Sequence, residues 1–173
     1  MFRRASLAFA ALLAATPASF ALTVTGAGEV LDSDLIRVNG YRLYLFGVES
    51  VEFGQGCEIR GQLWDCFPAA VRALQTIVAE GPLTCDILSG PNFLDEAIAR
   101  CMVNGQDVAE RLVRAGFAVA ITGETDAYVA AMNDAQARGV GLWQGPFAPP
   151  AEWRAAAGIL ADRPAYRPET AAP

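Results

Sequence analysis

The side chains that this chain could use for chemistry are carboxylates, arginines, tyrosines and cysteines. The 173-residue sequence contains no histidine and no lysine, so all 13 basic residues are arginine. The absence of histidine excludes a Ser-His-Asp triad, a Cys-His dyad and a metal site with histidine ligands. Any reaction must therefore use the remaining groups or a hard metal ion.

Four cysteines, Cys57, Cys66, Cys85 and Cys101, are the most distinctive of these groups. An even number of cysteines in an exported chain is typical of disulfides. A zinc site is the alternative, but the spacing contains no C-x2-C pair of the kind that such sites use. Four cysteines allow three pairings, and the spacing alone does not choose among them.

The first 21 residues have the pattern of a secretory signal peptide. Arg3 and Arg4 precede an apolar stretch over residues 5–15, and small residues occupy the usual cleavage positions up to Ala21. The apolar stretch is short of the roughly 20 residues that span a bilayer, so an uncleaved anchor is the less favoured alternative. We expect cleavage near Ala21 and a periplasmic or secreted protein.

The mature chain is expected to be strongly acidic. Cleavage removes two of the 13 basic residues and none of the 19 acidic ones, which leaves 11 against 19 and a net charge of −8. Proteins that bind nucleic acid gain most of their affinity from Lys and Arg that neutralise phosphates. We therefore expect neither nucleic acid nor a membrane as a partner. We expect a monomer whose partner is an unidentified protein or small ligand.

Residue patterning predicts an α+β domain over residues 22–158. It opens with a meander of about three strands over residues 23–47, with a hairpin at Asn39-Gly40. The predicted elements that follow are a loop over 51–61, a helix over 67–79, strands over 83–88 and 97–103 around a polar turn, and helices over 107–115 and 127–138. Five strands with a helix between the third and fourth fit an OB-fold barrel with about three helices. The Pro/Ala-rich tail over 159–173 is expected to be disordered.

Eight short segments between residues 28 and 154 resemble, in order, the motifs of the staphylococcal nuclease-like (thermonuclease) family. The segments are VLDSDL (30–35), LFGVESVE (45–52), the C…W-x-C of 57–66, AIARC (97–101), VNGQDV (103–108), LVRAGFA (112–118), GLWQGPF (141–147) and WR (153–154). Their order and spacing imply that family's OB fold.

The resemblance implies a site for phosphodiester hydrolysis, which family nucleases perform with one Ca²⁺, a glutamate general base and two arginines. Glu52 matches the glutamate, Asp34 matches one calcium carboxylate, and Glu49 replaces the other. Asp32 matches the other acid of the same turn. These acids also suit plain roles in turns and solvated loops. Calcium bound there would be weak or vestigial, with water supplying much of its shell, and no other cofactor is expected.

Both arginines of the family site are missing from the positions that the resemblance assigns to them. Tyr44 occupies the first position and Glu96 the second. A guanidinium fork binds a phosphate bidentately, and losing one such donor costs on the order of 10²–10³ in rate. Arg42 and Arg100 lie two and four residues from the lost positions, on the same strand faces, and we do not expect them to substitute.

Two functions remain open. The favoured one is an exported, catalytically inactive module that binds a ligand or has a structural role. The alternative is a divergent Ca²⁺-dependent nuclease or phosphodiesterase that uses Glu52 with Asp34 and Glu49. The lost arginines, the added Glu96 and the acidic mature chain favour the first, so that the sequence leans against an enzyme without deciding the matter.

The family likeness and the predicted strand order together favour one disulfide pairing. Cys57 and Cys66 close a short loop after the Glu52 segment, and Cys85 and Cys101 lie in the strands that enter and leave the polar turn. If those strands pair antiparallel, the second pair reaches the Cα separation of roughly 5.5–6 Å that a disulfide needs. We therefore predict Cys57–Cys66 and Cys85–Cys101.

Overall fold

The structure is a computed structural model that describes residues 22–92, 94–159 and 163–166. The predicted signal peptide lies outside these residues. Within them the chain forms eleven strands, four α-helices and one 3-10 helix. In chain order they are β1 (Thr23–Gly26), β2 (Gly28–Val30), β3 (Leu35–Val38), β4 (Tyr41–Leu45), β5 (Val48–Ser50), β6 (Gly56–Ile59), β7 (Gln62–Asp65), α1 (Phe67–Val78), β8 (Leu83–Ser89), β9 (Glu96–Val103), β10 (Gln106–Asp107), α2 (Val108–Arg114), β11 (Ala118–Ala120), α3 (Val129–Arg138), a 3-10 helix (Gly141–Gln144) and α4 (Pro150–Ala157).

Seven of the described strands form one curled sheet. Its order is β1-β8-β9-β4-β3-β2, with β10 pairing with β9. The neighbours are antiparallel except for β4 and β9, which run parallel. The sheet curls into a half-barrel, and with four helices it has the α+β, OB-like fold that the sequence predicts. The predicted first strand divides at Ala27, because β1 pairs with β8 whereas β2 pairs with β3.

The hydrophobic core lies between this sheet and the helices. In α1 the buried residues Ala70, Leu74 and Ile77 recur every three or four positions, which turns one face of the helix towards the core. The helix carries a proline in its first turn, where a missing N–H breaks no hydrogen bond. The largest fully buried side chains from the sheet are Ile36, Leu43, Leu45, Leu83 and Ile98.

The cysteines pair as predicted. Cys57 is bonded to Cys66 and Cys85 to Cys101, with Cα separations of 5.7 and 4.0 Å. Cys85 lies directly opposite Cys101 in the antiparallel register of β8 and β9, so the predicted antiparallel pairing of these two strands is also correct.

The segment predicted as a loop over residues 51–61 is in part a hairpin. Its strands β6 and β7 pair antiparallel around Arg60-Gly61, whose φ angles of 52° and 77° suit a tight two-residue turn. The sequence does not reveal this hairpin because its strands lack a regular apolar face, and Leu63 is 83% exposed. The disulfide at Cys57 and a hydrogen bond from Glu58 N–H to the Pro146 carbonyl (3.0 Å) hold it instead.

Helix α4 has no counterpart among the predicted elements. Of its residues only Pro150 is fully buried, so the helix lacks the apolar stripe by which sequence patterning detects helices. Among the described helices, none combines the length and the apolar composition needed to cross a bilayer.

Candidate functional site

The acidic residues singled out by the sequence come from two segments that meet in the fold. Asp32 and Asp34 lie in the turn between β2 and β3, while Glu49 and Glu52 lie in β5 and just after it. The segments are held together by hydrogen bonds. Ser33 Oγ donates to the Val51 carbonyl (2.8 Å), and the Ser50 N–H donates to Asp34 Oδ2 (3.1 Å).

Asp34 is the most buried of these acids, with 8% of its surface exposed. Burial raises the pKa of its carboxyl to about 7, and the nearby carboxylates of Asp32 and Glu52 add to the rise. The guanidinium of Arg163 and the Ser50 N–H lower the pKa in part. Near neutral pH both the protonated and the ionised form of Asp34 are therefore populated.

The acids border a small pocket. It is lined by Asp32, Asp34, Tyr44, Glu52, Arg154 and Arg163. Its cavity volume is about 20 Å³, room for roughly one water molecule and far too little for a nucleotide. The two arginines come from the C-terminal part of the chain, whereas the other lining residues come from the β2–β5 region.

Arg154, in α4, bridges two of the acids. Its Nη2 lies 2.7 Å from Glu49 Oε2, and its Nη1 contacts Glu52 Oε1. The Arg154 and Glu49 side chains are only 13% and 14% exposed, and Glu52 is 28% exposed. Burial lowers the pKa of the Arg154 guanidinium, but the hydrogen bonds and the negative charges of the two glutamates together raise it by more. The proposed general base and one proposed calcium ligand thus share a single guanidinium.

Arg163, the second arginine that lines the pocket, is held by Glu124. Its Nη1 lies 2.5 Å from Glu124 Oε1, its Nη2 lies 3.0 Å from Glu124 Oε2, and Nη2 also donates to the Leu45 carbonyl (3.1 Å). Both side chains of this pair are 10% exposed. Glu124 also accepts the Gly47 N–H (2.9 Å). Arg163 thereby connects the C-terminal segment to the turn that follows β4.

Tyr44, at the first arginine position, is a packed residue. It is 6% exposed and lies in a hydrophobic cluster with Leu35, Phe46 and Ile98, against which Tyr166 also packs. The guanidinium of Arg163 lies 6.0 Å from the centroid of its ring. An aromatic ring in this position offers no fork for a phosphate, so the structure supports a packing role for Tyr44.

Glu96, at the second arginine position, is 2% exposed and paired with Arg42. The two residues are opposite each other in the parallel register of β4 and β9. Arg42 donates to Glu96 Oε1 from Nε (3.1 Å) and from Nη2 (2.5 Å). Arg42 therefore neutralises the acid at the position that the resemblance assigns to an arginine.

Arg100 is also engaged away from the pocket. Its Nε lies 3.9 Å from Asp107 Oδ2, and its guanidinium lies 5.1 Å from the Phe46 ring centroid. Neither Arg42 nor Arg100 is among the described residues that line the pocket. The expectation that these two arginines do not replace the lost pair is consistent with this placement.

As arranged, the acids do not fit a divalent cation. Calcium needs six to eight oxygen ligands, including ionised carboxylates. Here Glu49 and Glu52 are bonded to Arg154, and the buried Asp34 has a strongly raised pKa. Within the described part of the chain, no three acidic, cysteine or histidine side chains are grouped as a metal ion requires.

Sequence reasoning did not identify Arg154 and Arg163 as site residues. In the sequence Arg154 stands only in the closing W-R motif, and its glutamate partners lie 105 and 102 positions away in the chain. Arg163 lies in the region predicted to be a disordered tail. The described part of that region, residue 159 and residues 163–166, contacts the barrel through Arg163 and Tyr166.

Comparison with known proteins gives two similarities. Residues 70–145 match a family model described as staphylococcal nuclease homologue. The succinoglycan biosynthesis protein ExoI of Rhizobium meliloti (strain 1021) is 30% identical over 139 residues, which cover 78% of this chain and 72% of that protein. The residues matched by the family model include Glu96 but not Asp34, Glu49, Glu52 or Arg154.

Proposed function

This chain belongs to the staphylococcal nuclease homologue family, and we propose that it is a non-catalytic member, acting in the periplasm or outside the cell as a binding or structural module. The observation that carries the proposal is the double salt bridge of Arg154 with Glu49 and Glu52. A general base must present a carboxylate that is free to take a proton, and a metal ligand must present one to the ion. Here one guanidinium engages both.

The phosphate-binding half of the family site supports the same conclusion. A transferring phosphate gains stabilisation from guanidinium groups placed before the reaction. Tyr44 is packed in a hydrophobic cluster, and Glu96 places a buried carboxylate at the other position. Losing two such donors would cost on the order of 10⁴ or more in rate if the two effects were additive.

The charge of the chain is a third argument. The 19 acidic residues outnumber the 13 basic ones even before the predicted signal is removed. A net negative protein repels nucleic acid over distances comparable with the Debye length. This makes a nucleic acid an unsuitable ligand and favours a protein or a small ligand.

The location in the periplasm or outside the cell rests on the predicted signal and on the cysteines. Both disulfides are buried structural bridges, and such bonds persist in oxidising compartments. The similar protein is named for succinoglycan biosynthesis and not for degradation of nucleic acid. We infer that a partner is best sought among exported biosynthetic proteins.

One observation favours the alternative of a divergent nuclease. Arg154 and Arg163 line the same pocket as Asp34 and Glu52, so two guanidinium groups are present beside the family's acids. To act on a phosphate, however, Arg154 would have to leave both glutamates and Arg163 would have to leave Glu124. The alternative therefore requires three salt bridges to break before catalysis begins.

Digestion of plasmid DNA and of single-stranded RNA distinguishes these functions. The mature protein is incubated with each substrate in Ca²⁺ and in chelator, beside the Glu52→Gln variant. The proposal expects no cleavage above that of the variant in either condition. Cleavage that needs Ca²⁺ and disappears in Glu52→Gln would establish the nuclease.

A further inference from the structure

The Ca²⁺ that the family resemblance implies does not fit this pocket. Instead, a guanidinium from the chain's own C-terminal segment is bonded to Glu49 and Glu52. We infer that residues 150–159 and 163–166, here called the strap, close this face of the barrel, with Arg154 as the built-in cation of the acidic pocket. The inference rests on the proposed function, because a site without catalysis has no need to keep its carboxylates open.

The first contact of the strap is electrostatic. Arg154 bonds Glu49 and Glu52 at once, with one terminal nitrogen of its planar guanidinium directed to each carboxylate. It supplies one positive charge to the pocket, whereas a bound Ca²⁺ would supply two.

The second and third contacts lie further along the chain. Arg163 pairs with Glu124 and donates to the Leu45 carbonyl. The ring of Tyr166 packs edge-on against Phe46, with the centroids 4.8 Å apart. A charged contact, a second charged contact and an aromatic contact thus fix the strap at three separate points on one face.

These contacts define what could displace the strap. A ligand that removed Arg154 without supplying positive charge would leave Glu49 and Glu52 unneutralised in a partly buried site, which is strongly unfavourable. The competing group must therefore be cationic, either a divalent ion or a guanidinium from a partner. It must also compete with a tethered group, whose effective concentration is typically millimolar.

Calcium-dependent thermal stability tests the inference, with Arg154→Gln as the informative variant. The matched control is Arg111→Gln, which breaks another two-pronged salt bridge, to Glu80, whose residues do not line the pocket. We expect 10 mM Ca²⁺ to raise the melting temperature of Arg154→Gln by about 2–5 °C relative to NaCl of equal ionic strength. The wild type and Arg111→Gln should show no such rise, and adding Asp34→Asn to Arg154→Gln should abolish it.

Two results would overturn the inference. One is an equal rise in melting temperature with Ca²⁺ in the wild type and in Arg154→Gln. The other is the absence of a rise in an Arg154→Gln protein whose near-UV circular dichroism is native. If Arg154→Gln does not fold, Arg154→Lys provides the test. It keeps the charge but loses the fork, so a Ca²⁺ response above that of wild type is expected, and its absence counts against the strap. Nuclease activity in the wild type would instead overturn the proposed function, whichever way these calcium responses fall.

Discussion

Arg42 and Glu96 face each other across the parallel strands β4 and β9, with Arg42 Nη2 2.5 Å from Glu96 Oε1. The carboxylate is 2% exposed, whereas the Arg42 side chain is 37% exposed. A buried carboxylate is tolerated when a cation and hydrogen bonds compensate for its lost hydration. The pair therefore makes a negative charge structurally acceptable at the position that the family resemblance assigns to an arginine.

Removing Arg42 should destabilise the fold more than removing a similar exposed arginine. Arg42→Met leaves the buried Glu96 carboxylate without this cation, and we expect the free energy of unfolding to fall by about 3 kcal/mol. The control is Arg37→Met on the neighbouring strand, where Arg37 pairs with Glu29 and the side chains are 39% and 62% exposed. That change should cost less than about 1 kcal/mol. Chemical denaturation measures both, and equal losses would show that the Arg42–Glu96 pair has no special role.

The pKa of Asp34 predicts an unusual dependence of stability on pH. Its carboxyl has a pKa of about 7 in the folded protein against 3.8 for the unperturbed group, so the folded state binds the proton more tightly. As pH rises from about 4 to about 7, the unfolded chain releases this proton before the folded one does, and the free energy of unfolding falls. The contribution of Asp34 alone is on the order of a few kcal/mol over that range.

Denaturation at several pH values between 4.5 and 7.5 checks this contribution. The Asp34→Asn variant should lose this part of the pH dependence. Between pH 4.5 and 7.5 its free energy of unfolding should therefore fall by less than that of the wild type. Asp65→Asn, at an exposed position in β7, is the control and should follow the wild-type curve. Parallel curves for the wild type and Asp34→Asn would contradict the assignment.

The disulfides should each contribute to stability. Replacing Cys85 and Cys101 together by alanine, or Cys57 and Cys66 together by alanine, should lower the free energy of unfolding by about 2–4 kcal/mol. The bridges span 16 and 9 residues, so the first should cost slightly more in the chain-entropy account. Peptide mapping of the unreduced mature protein checks the pairing first, and a Cys57–Cys85 link would refute it.

Much of the fold is readable from local sequence signals. Asn39-Gly40 and Asn104-Gly105 have the positive φ angles that their turns require, and helices α1 to α3 lie within two residues of their predicted bounds. These elements are set by turn chemistry and apolar periodicity, which act over a few residues. The Cys85–Cys101 disulfide also follows, because it depends on one antiparallel strand pair, whereas the prediction of Cys57–Cys66 depends on the family resemblance.

The interior of the site was harder to predict. The resemblance indicates which acids could meet, but not that Arg154 and Arg163 bind beside them, since those contacts join positions about a hundred residues apart. The pairing of Arg42 with Glu96 likewise depends on the exact register of two parallel strands. Side-chain pairing of this kind is fixed by tertiary packing, and no short motif encodes it.

A double-mutant cycle between Arg154 and Glu52 tests most directly whether this carboxylate is engaged by the strap. The free energy of unfolding is measured at low salt for the wild type, Arg154→Gln, Glu52→Gln and the double variant. Because both side chains are largely buried, we expect a coupling energy of about 1–3 kcal/mol, smaller at high salt. A coupling energy below about 0.5 kcal/mol, with the two single changes simply additive, would mean that Glu52 is not held by Arg154 and would contradict the account.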